Sequence, residues 1–352
     1  MICVSKLIDI PEGTDIIEVK KKMSRMLSTA RNESKPTTCI MCGKPKTSFC
    51  NSHSVPQLAL KNIADNGKLL LASSLIGIEV VDCEKGVNNS GTFHFICNDC
   101  DSSFFQDYEN ENNLQERPTD KMLAEIAVKN ILLQLSKRAQ EKALFKIMQK
   151  KTSFMTNPED LLGIKELDER DYNEELNFHK DIADTEKQGG YQILYWKILP
   201  YTIPIAMQSA VALAKDMEGN PINDVFDTSN DVRMQFLQIA ILPLTGKSVV
   251  LAFYHKRDKL YKKLWHQFNS SSAEKCLSFL NHLIFEYTEN YFISPSIREE
   301  IENNENLSVL SQENNGFPGL GLVSSFDLLA NNYQPIGEND IPNFLTEEWK
   351  VL

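Results

Sequence analysis

The chain has 352 residues, 42% hydrophobic and 24% charged, a balance that excludes general disorder. Its 15 Gly and 14 Pro exclude a collagen-like or linker-dominated protein, and a formal net charge of −11 excludes an extended basic coat for nucleic acid. No run of 18 apolar residues spans a bilayer, and Met1-Ile2-Cys3-Val4-Ser5-Lys6 lacks the basic and long apolar regions of a secretory signal. The expected setting is therefore cytoplasmic, without a membrane, and there the eight cysteines stay reduced.

Taken in chain order, residues 1–35 predict a short strand and then a helix over about 14–31. Residues 36–115 are short-patterned, Cys-bearing and turn-rich. Residues 119–151 predict a long helix: Thr119 is a candidate N-cap, and Met122, Leu123, Ile126, Leu132, Leu133 and Leu135 supply its apolar face. Asn157-Pro158 closes that stretch, and 166–188 reads as a charged surface helix or linker. Beyond Gly189-Gly190 the period shortens. Strands are expected over 191–215, 235–243 and 248–254, with turns at Glu218-Gly219-Asn220-Pro221 and Thr245-Gly246-Lys247. Helices follow at 259–268 and 272–291, the second capped by Ser272, and the Asn/Glu/Gly-rich remainder reads as loosely ordered.

Charge is blocked along the chain. Residues 18–46 hold eight Lys/Arg against two Glu, and 129–151 hold seven against one. Residues 159–187 reverse this with eleven acidic against four basic, as does 298–350 with ten against two. Such blocks are usually solvated helix faces. Lys20-Lys21-Lys22 with Arg25 and Arg31 is the better candidate for phosphate contacts. A second candidate is Tyr254-His255-Lys256-Arg257 with Lys259, Lys262 and Lys263, where Tyr261 and Trp265 interleave.

The chemistry concentrates at the cysteines. Cys39-x2-Cys42-Gly43 and Cys97-x2-Cys100 are two pairs of knuckle spacing, 54 residues apart, and each can present two thiolates from one tight turn. Together they make a closed, four-thiolate structural zinc site. A competing set, Cys39, Cys42, Cys50 and His53, would close a compact site of three thiolates and one imidazole. Asn98 lies inside the second knuckle, where it could orient a ligand. His94 alternates with aromatics as on a strand and reads as structural. His179, His255, His266 and His282 stand alone and read as surface or packing residues, and Cys3, Cys83 and Cys276 as small buried hydrophobes. No Gly-rich phosphate loop, G-x-S-x-G elbow or H-E-x-x-H occurs.

The run Cys-x2-Cys, Ser52-His53-Ser54-Val55-Pro56, then Thr92-Phe93-His94-Phe95-Ile96-Cys97-Asn98-Asp99-Cys100-Asp101 through Phe105 and Glu109 resembles the HNH (ββα-metal) nuclease superfamily, in its cysteine-stapled, zinc-supported branch. Within it, the chain resembles bacterial proteins with an N-terminal module of this kind, which also share Lys61-Asn62-Ile63-Ala64-Asp65-Asn66-Gly67. The likeness covers about residues 36–115. It implies a ββα-metal, treble-clef-type module with structural Zn²⁺ on Cys39, Cys42, Cys97 and Cys100. His53 takes the place of the general base, and Asp101 and Glu109, eight residues apart on one helix, hold catalytic Mg²⁺ or Mn²⁺. It also implies DNA as substrate, sometimes in bacterial defence against invading DNA, and leaves room for a protein partner or activator. Three departures stand out. Ser52 precedes the base where many members carry a metal-ligating side chain, no histidine follows Cys100 until His179, and 43 residues separate His53 from Cys97.

The expectation is an α+β protein: an HNH-like zinc module with an N-terminal helix over 1–116, a helical connector over 117–190, antiparallel β plus helices over 191–295, and an acidic tail over 296–352. It acts as a metal-dependent endonuclease on DNA or, alternatively, as a catalytically inactive zinc-stabilised module that binds nucleic acid or a protein partner.

Overall fold

The computed structural model describes residues 16–72, 81–151, 158–224, 231–307 and 336–351, with 227, 229 and 310. The strand expected before the first helix lies outside them. Helix α1 (Ile16–Glu33) falls where the sequence placed it. Its Met26 and Ala30 pack on Ala143 and Ile147 of the long helix described below.

The cysteine-rich region contains β1 (Ser52–His53), α2 (Gln57–Ile63), β2 (Lys68–Ala72), β3 (Val81–Gly86), β4 (Thr92–Phe93) and α3 (Asn98–Phe104). β1 and β4 pair antiparallel, Ser52 opposite Phe93 and His53 opposite Thr92, and α3 follows directly, so the order is strand, strand, helix. Ser54 N–H donates to Gly91 O at 2.8 Å and closes this ribbon. Gly91 has φ +61, and a Cβ there would overlap the Phe292 ring and come within 2.7 Å of Ser54 Oγ, so the approach requires glycine. The long stretch between His53 and Cys97 is explained by α2 and the β2–β3 hairpin, which leaves the small ribbon for a larger sheet.

After the short α4 (Glu111–Leu114) comes α5 (Asp120–Lys151), capped as expected, with Thr119 Oγ1 accepting from Met122 N–H at 3.2 Å. Its first half is buried on every side because its side chains share one core with the cysteine-rich region, the sheet and α6 (Pro158–Thr185), whereas α1 packs on its second half. The charged segment 166–188 is thus largely helix. Arg138 pairs with Asp168 at 3.0 Å and Lys142 with Glu169 at 2.9 Å, so the acidic block of α6 neutralises part of the basic block of α5.

Strands β5 (Tyr191–Leu199), β6 (Ile205–Val211), β7 (Leu237–Leu244) and β8 (Lys247–His255) bracket the expected turns. Helices α7 (Lys262–Ser270) and α8 (Ala273–Tyr287) follow, Ser272 Oγ capping the latter through Lys275 N–H. The second helix was expected to run to 291. Instead it ends at Tyr287, Thr288 turns extended, and β9 (Tyr291–Ile293) enters the sheet between β2 and β6.

The sheet is antiparallel throughout, in the order β3-β2-β9-β6-β7-β8-β5, so strands from the cysteine-rich region and from 191–293 share it. Its side chains alternate between two cores. Ala240 and Leu242 face the layer of α5 and the knuckles, whereas Ile239 and Ile241 face α7 and α8. The architecture is a mixed helix-and-sheet fold of three layers. Past α9 (Arg298–Glu302), part of the tail corrects the expectation of loose order. Phe344 and Leu345 are fully buried, and Val351 N–H donates to Thr202 O at 2.8 Å. Among the described residues, no helix is long and apolar enough to cross a membrane.

Candidate metal centre

Two short turns bring the knuckle cysteines together. Gly43, at φ +67, lets Gly43 N–H reach Cys39 O at 2.7 Å, and Cys39 N–H donates to Lys44 O at 2.9 Å. On the other side Cys97 caps α3, Cys100 sits in its first turn, and Cys97 N–H donates to Cys39 Sγ at 3.3 Å. The sulfurs of Cys39, Cys42, Cys97 and Cys100 all lie within 4.8 Å of one another. A thiolate tetrahedron around zinc needs edges of about 3.8 Å, given a Zn–S bond of about 2.3 Å. The donor set, its spacing and its closure fit a structural Zn²⁺.

The competing ligands have other partners. Cys50 donates its thiol hydrogen to Asp101 Oδ2 at 3.2 Å. Burial first, and the Asp101 carboxylate second, push that thiol up to about 12, so Cys50 stays protonated at neutral pH. His53 Nε2 lies 3.2 Å from Val87 O. A carbonyl only accepts, so Nε2 carries the proton of the neutral imidazole and Nδ1 keeps its lone pair. Burial lowers the pKa of His53, against the opposing pull of the Val87 carbonyl. This is the tautomer and charge state of a base.

The carboxylates expected to hold a divalent ion do converge, but on a lysine. Lys129, on the buried half of α5, places Nζ 3.0 Å from Asp101 Oδ1, 3.1 Å from Glu109 Oε1 and 3.1 Å from Ser52 Oγ. The Ser52 hydroxyl donates to Asp101 Oδ1 at 2.5 Å, and the ammonium lies 3.7 Å from the Phe105 ring centroid. Burial tends to raise the Asp101 pKa, but the ammonium and the Ser52 hydroxyl outweigh it and hold it below the ordinary carboxylate range. A divalent ion brought to about 4 Å from this ammonium would meet a repulsion of about 8 kcal/mol at an effective dielectric of about 20. Asp101 and Glu109 therefore do not fit Mg²⁺ or Mn²⁺ while Lys129 sits between them.

The expectation that these two acids share a helix is corrected. α3 ends at Phe104, and Tyr108 N–H leaves the helical ladder to donate to Glu125 Oε2 of α5 at 2.9 Å, so Glu109 stands on the following turn. Asn98, the first residue of α3, is exposed. His94 is half-buried as expected, with Arg31 and Lys35 close enough to lower its pKa further after burial.

Sequence reasoning missed Lys129, which it counted only within a basic block. The one available signal was a lone lysine on the apolar stretch from Met122 to Leu135. It also read His179 and His255 as isolated, yet they are buried against Glu175 and Asp258. No family model, no curated protein and no solved structure matches the chain.

Proposed function

We propose that the cysteine-rich region is a zinc-stapled, HNH-like module that binds nucleic acid without cutting it by a divalent-metal route. The observation that carries this reading is the Lys129 ammonium, which holds both carboxylates that a catalytic ion would need. An ammonium satisfies the charge of the site but supplies no open coordination position for a phosphate oxygen or a water nucleophile.

Support for nucleic acid comes from the two basic blocks, which differ in fate. On α5, Lys129, Arg138 and Lys142 are held by Asp101, Glu109, Asp168 and Glu169. The block on α1 and the first knuckle stays open: Lys21, Lys22, Arg25, Arg31, Lys35 and Lys44 are exposed and, among the described residues, form no ion pair. Such a surface suits a phosphate backbone read without sequence preference.

A second reading, a metal-dependent endonuclease, keeps one specific observation in its favour. His53 is held as a neutral base by Val87 O, in a β-ribbon followed by a helix. Incubating supercoiled plasmid with the zinc-loaded chain and Mg²⁺ or Mn²⁺ separates the two. The binding reading expects retarded but intact plasmid, and His53→Ala indistinguishable from wild type. Nicked or linear product that disappears in His53→Ala establishes the endonuclease instead.

A further inference from the structure

The four sulfurs of the metal centre are unequally protected. Cys39 is wholly enclosed and Cys97 nearly so, Cys100 is half-buried in the first turn of α3, and Cys42 is exposed. Elsewhere, Cys276 is buried, and the Cys50 thiol is tied to Asp101 Oδ2 at 3.2 Å. The turn that carries Cys42 opens to solvent, for a Cβ built on Gly43 meets nothing within 4 Å.

The surroundings of Cys42 are cationic. Lys44, two residues on, is exposed and, among the described residues, forms no ion pair. Lys180 Nζ of α6 donates to Met41 O at 2.9 Å, which puts an ammonium against the residue before Cys42. An exposed sulfur in a positive setting is where small oxidants react first, whereas enclosed sulfurs are inert. Four thiolates around one divalent ion also leave a net negative charge, so the sulfurs keep electron density to donate.

We propose that Cys42 is an oxidation site, at which hydrogen peroxide opens the four-sulfur group. The inference rests on the reading of that group as a structural zinc site. Cys42 Sγ, as thiolate, attacks one peroxide oxygen and becomes a sulfenic acid. The O–O bond breaks, and the departing hydroxide takes a proton from solvent. A second thiolate of the group, within 4.8 Å, then attacks Cys42 Sγ. The S–O bond breaks, hydroxide leaves and is protonated, and a disulfide forms. Two thiolates thereby pass two electrons to one peroxide and, with two protons, yield one disulfide and two waters. The two sulfurs left over cannot close a four-ligand site, so the zinc departs. Because Lys44 belongs to the same turn and to the open basic surface, loss of the ion loosens part of that surface.

The test is hydrogen peroxide added to the zinc-loaded full chain. Released zinc is followed with a chromogenic chelator, and thiols are mapped by alkylation and mass spectrometry. The expected result is zinc release in step with disulfide formation at Cys42, the first thiol lost. A phosphine reductant with added zinc should restore both. Cys42→His keeps a ligand at that corner and should release zinc about tenfold more slowly. Zinc retained by the wild type at a peroxide dose that fully oxidises free glutathione overturns the inference and leaves the zinc reading intact. First oxidation at Cys50 or Cys276 does the same. A wild type that takes up no zinc overturns both. If Cys42→His does not hold zinc, the wild-type peptide map decides alone.

Discussion

Lys129 Nζ lies 3.0 Å from Asp101 Oδ1, joining the buried first half of α5 to the first turn of the helix that follows Cys97 and carries Cys100. The four-cysteine group and the three-layer core are coupled through this ion pair. Lys129→Met leaves Asp101 and Glu109 without their shared cation. A loss of about 3–5 kcal/mol is expected from breaking one side of a buried pair. Lys129→Met/Asp101→Asn should recover part of that loss, because the uncompensated charge is removed with it. Urea unfolding of the wild type and both variants checks this; a double variant no more stable than the single one contradicts it.

The knuckle cysteines and Cys50 should separate cleanly by mutation. Cys97→Ser removes one corner of the four-sulfur group and should release the zinc held there, with loss of folding in the knuckle region. Cys50→Ser keeps a donor toward Asp101 and should retain the ion, at a stability cost below about 1.5 kcal/mol. Zinc content of the two purified variants reads the difference. Retention in Cys97→Ser with loss in Cys50→Ser reverses the ligand assignment.

Glu125 sets a pH dependence that can be isolated. Burial raises its pKa to about 7 from the ordinary 4.5, against the Tyr108 N–H that favours the charged form. A carboxyl whose folded pKa is raised lends its stability below the unfolded pKa and loses it as pH climbs through the folded one. Relative to Glu125→Gln, whose amide oxygen can still accept from Tyr108 N–H, the wild type should therefore lose stability between pH 4.5 and 7 and level off above. Unfolding free energies of the two across that range give the curve. A constant difference across the range contradicts a raised Glu125 pKa in the folded chain.

Reversing Lys21, Lys22 and Arg25 to Glu should weaken duplex binding at least tenfold and flatten its salt dependence by about one unit of slope per lost phosphate contact. The same change at Lys137 and Lys142, which pair with Glu289 and Glu169, should act on stability instead. Fluorescence anisotropy with labelled duplex over a salt series distinguishes them. Equal loss of binding from both sets means that α1 is not the contact face.

How much was legible in the sequence follows from how local the signals were. Thr119 and Ser272 each satisfy a backbone N–H three residues on, so the starts of α5 and α8 were readable, as were the hairpins around Gly219 and Gly246. The knuckle ligands were readable because two thiols two residues apart carry their own geometry. β9 was not, because what makes Tyr291–Ile293 a strand is the pair of neighbours at Leu70–Leu71 and Ile205–Met207, distant along the chain. Lys129 was hidden for the same reason: its partners Ser52, Asp101 and Glu109 lie outside its own helix. The Glu175 group was hidden because its halves, Glu175 with His179 and His255 with Asp258, are each unremarkable alone.

Lys129 occupies the position between Asp101 and Glu109 that a divalent ion would need. Titrating Mn²⁺ into the zinc-loaded chain, and following free hydrated Mn²⁺ by electron paramagnetic resonance, tests it directly. The wild type is expected to bind no Mn²⁺ there and Lys129→Ala to bind one, because its two carboxylates face a vacated position. One Mn²⁺ bound by the wild type and lost in Asp101→Asn would contradict it.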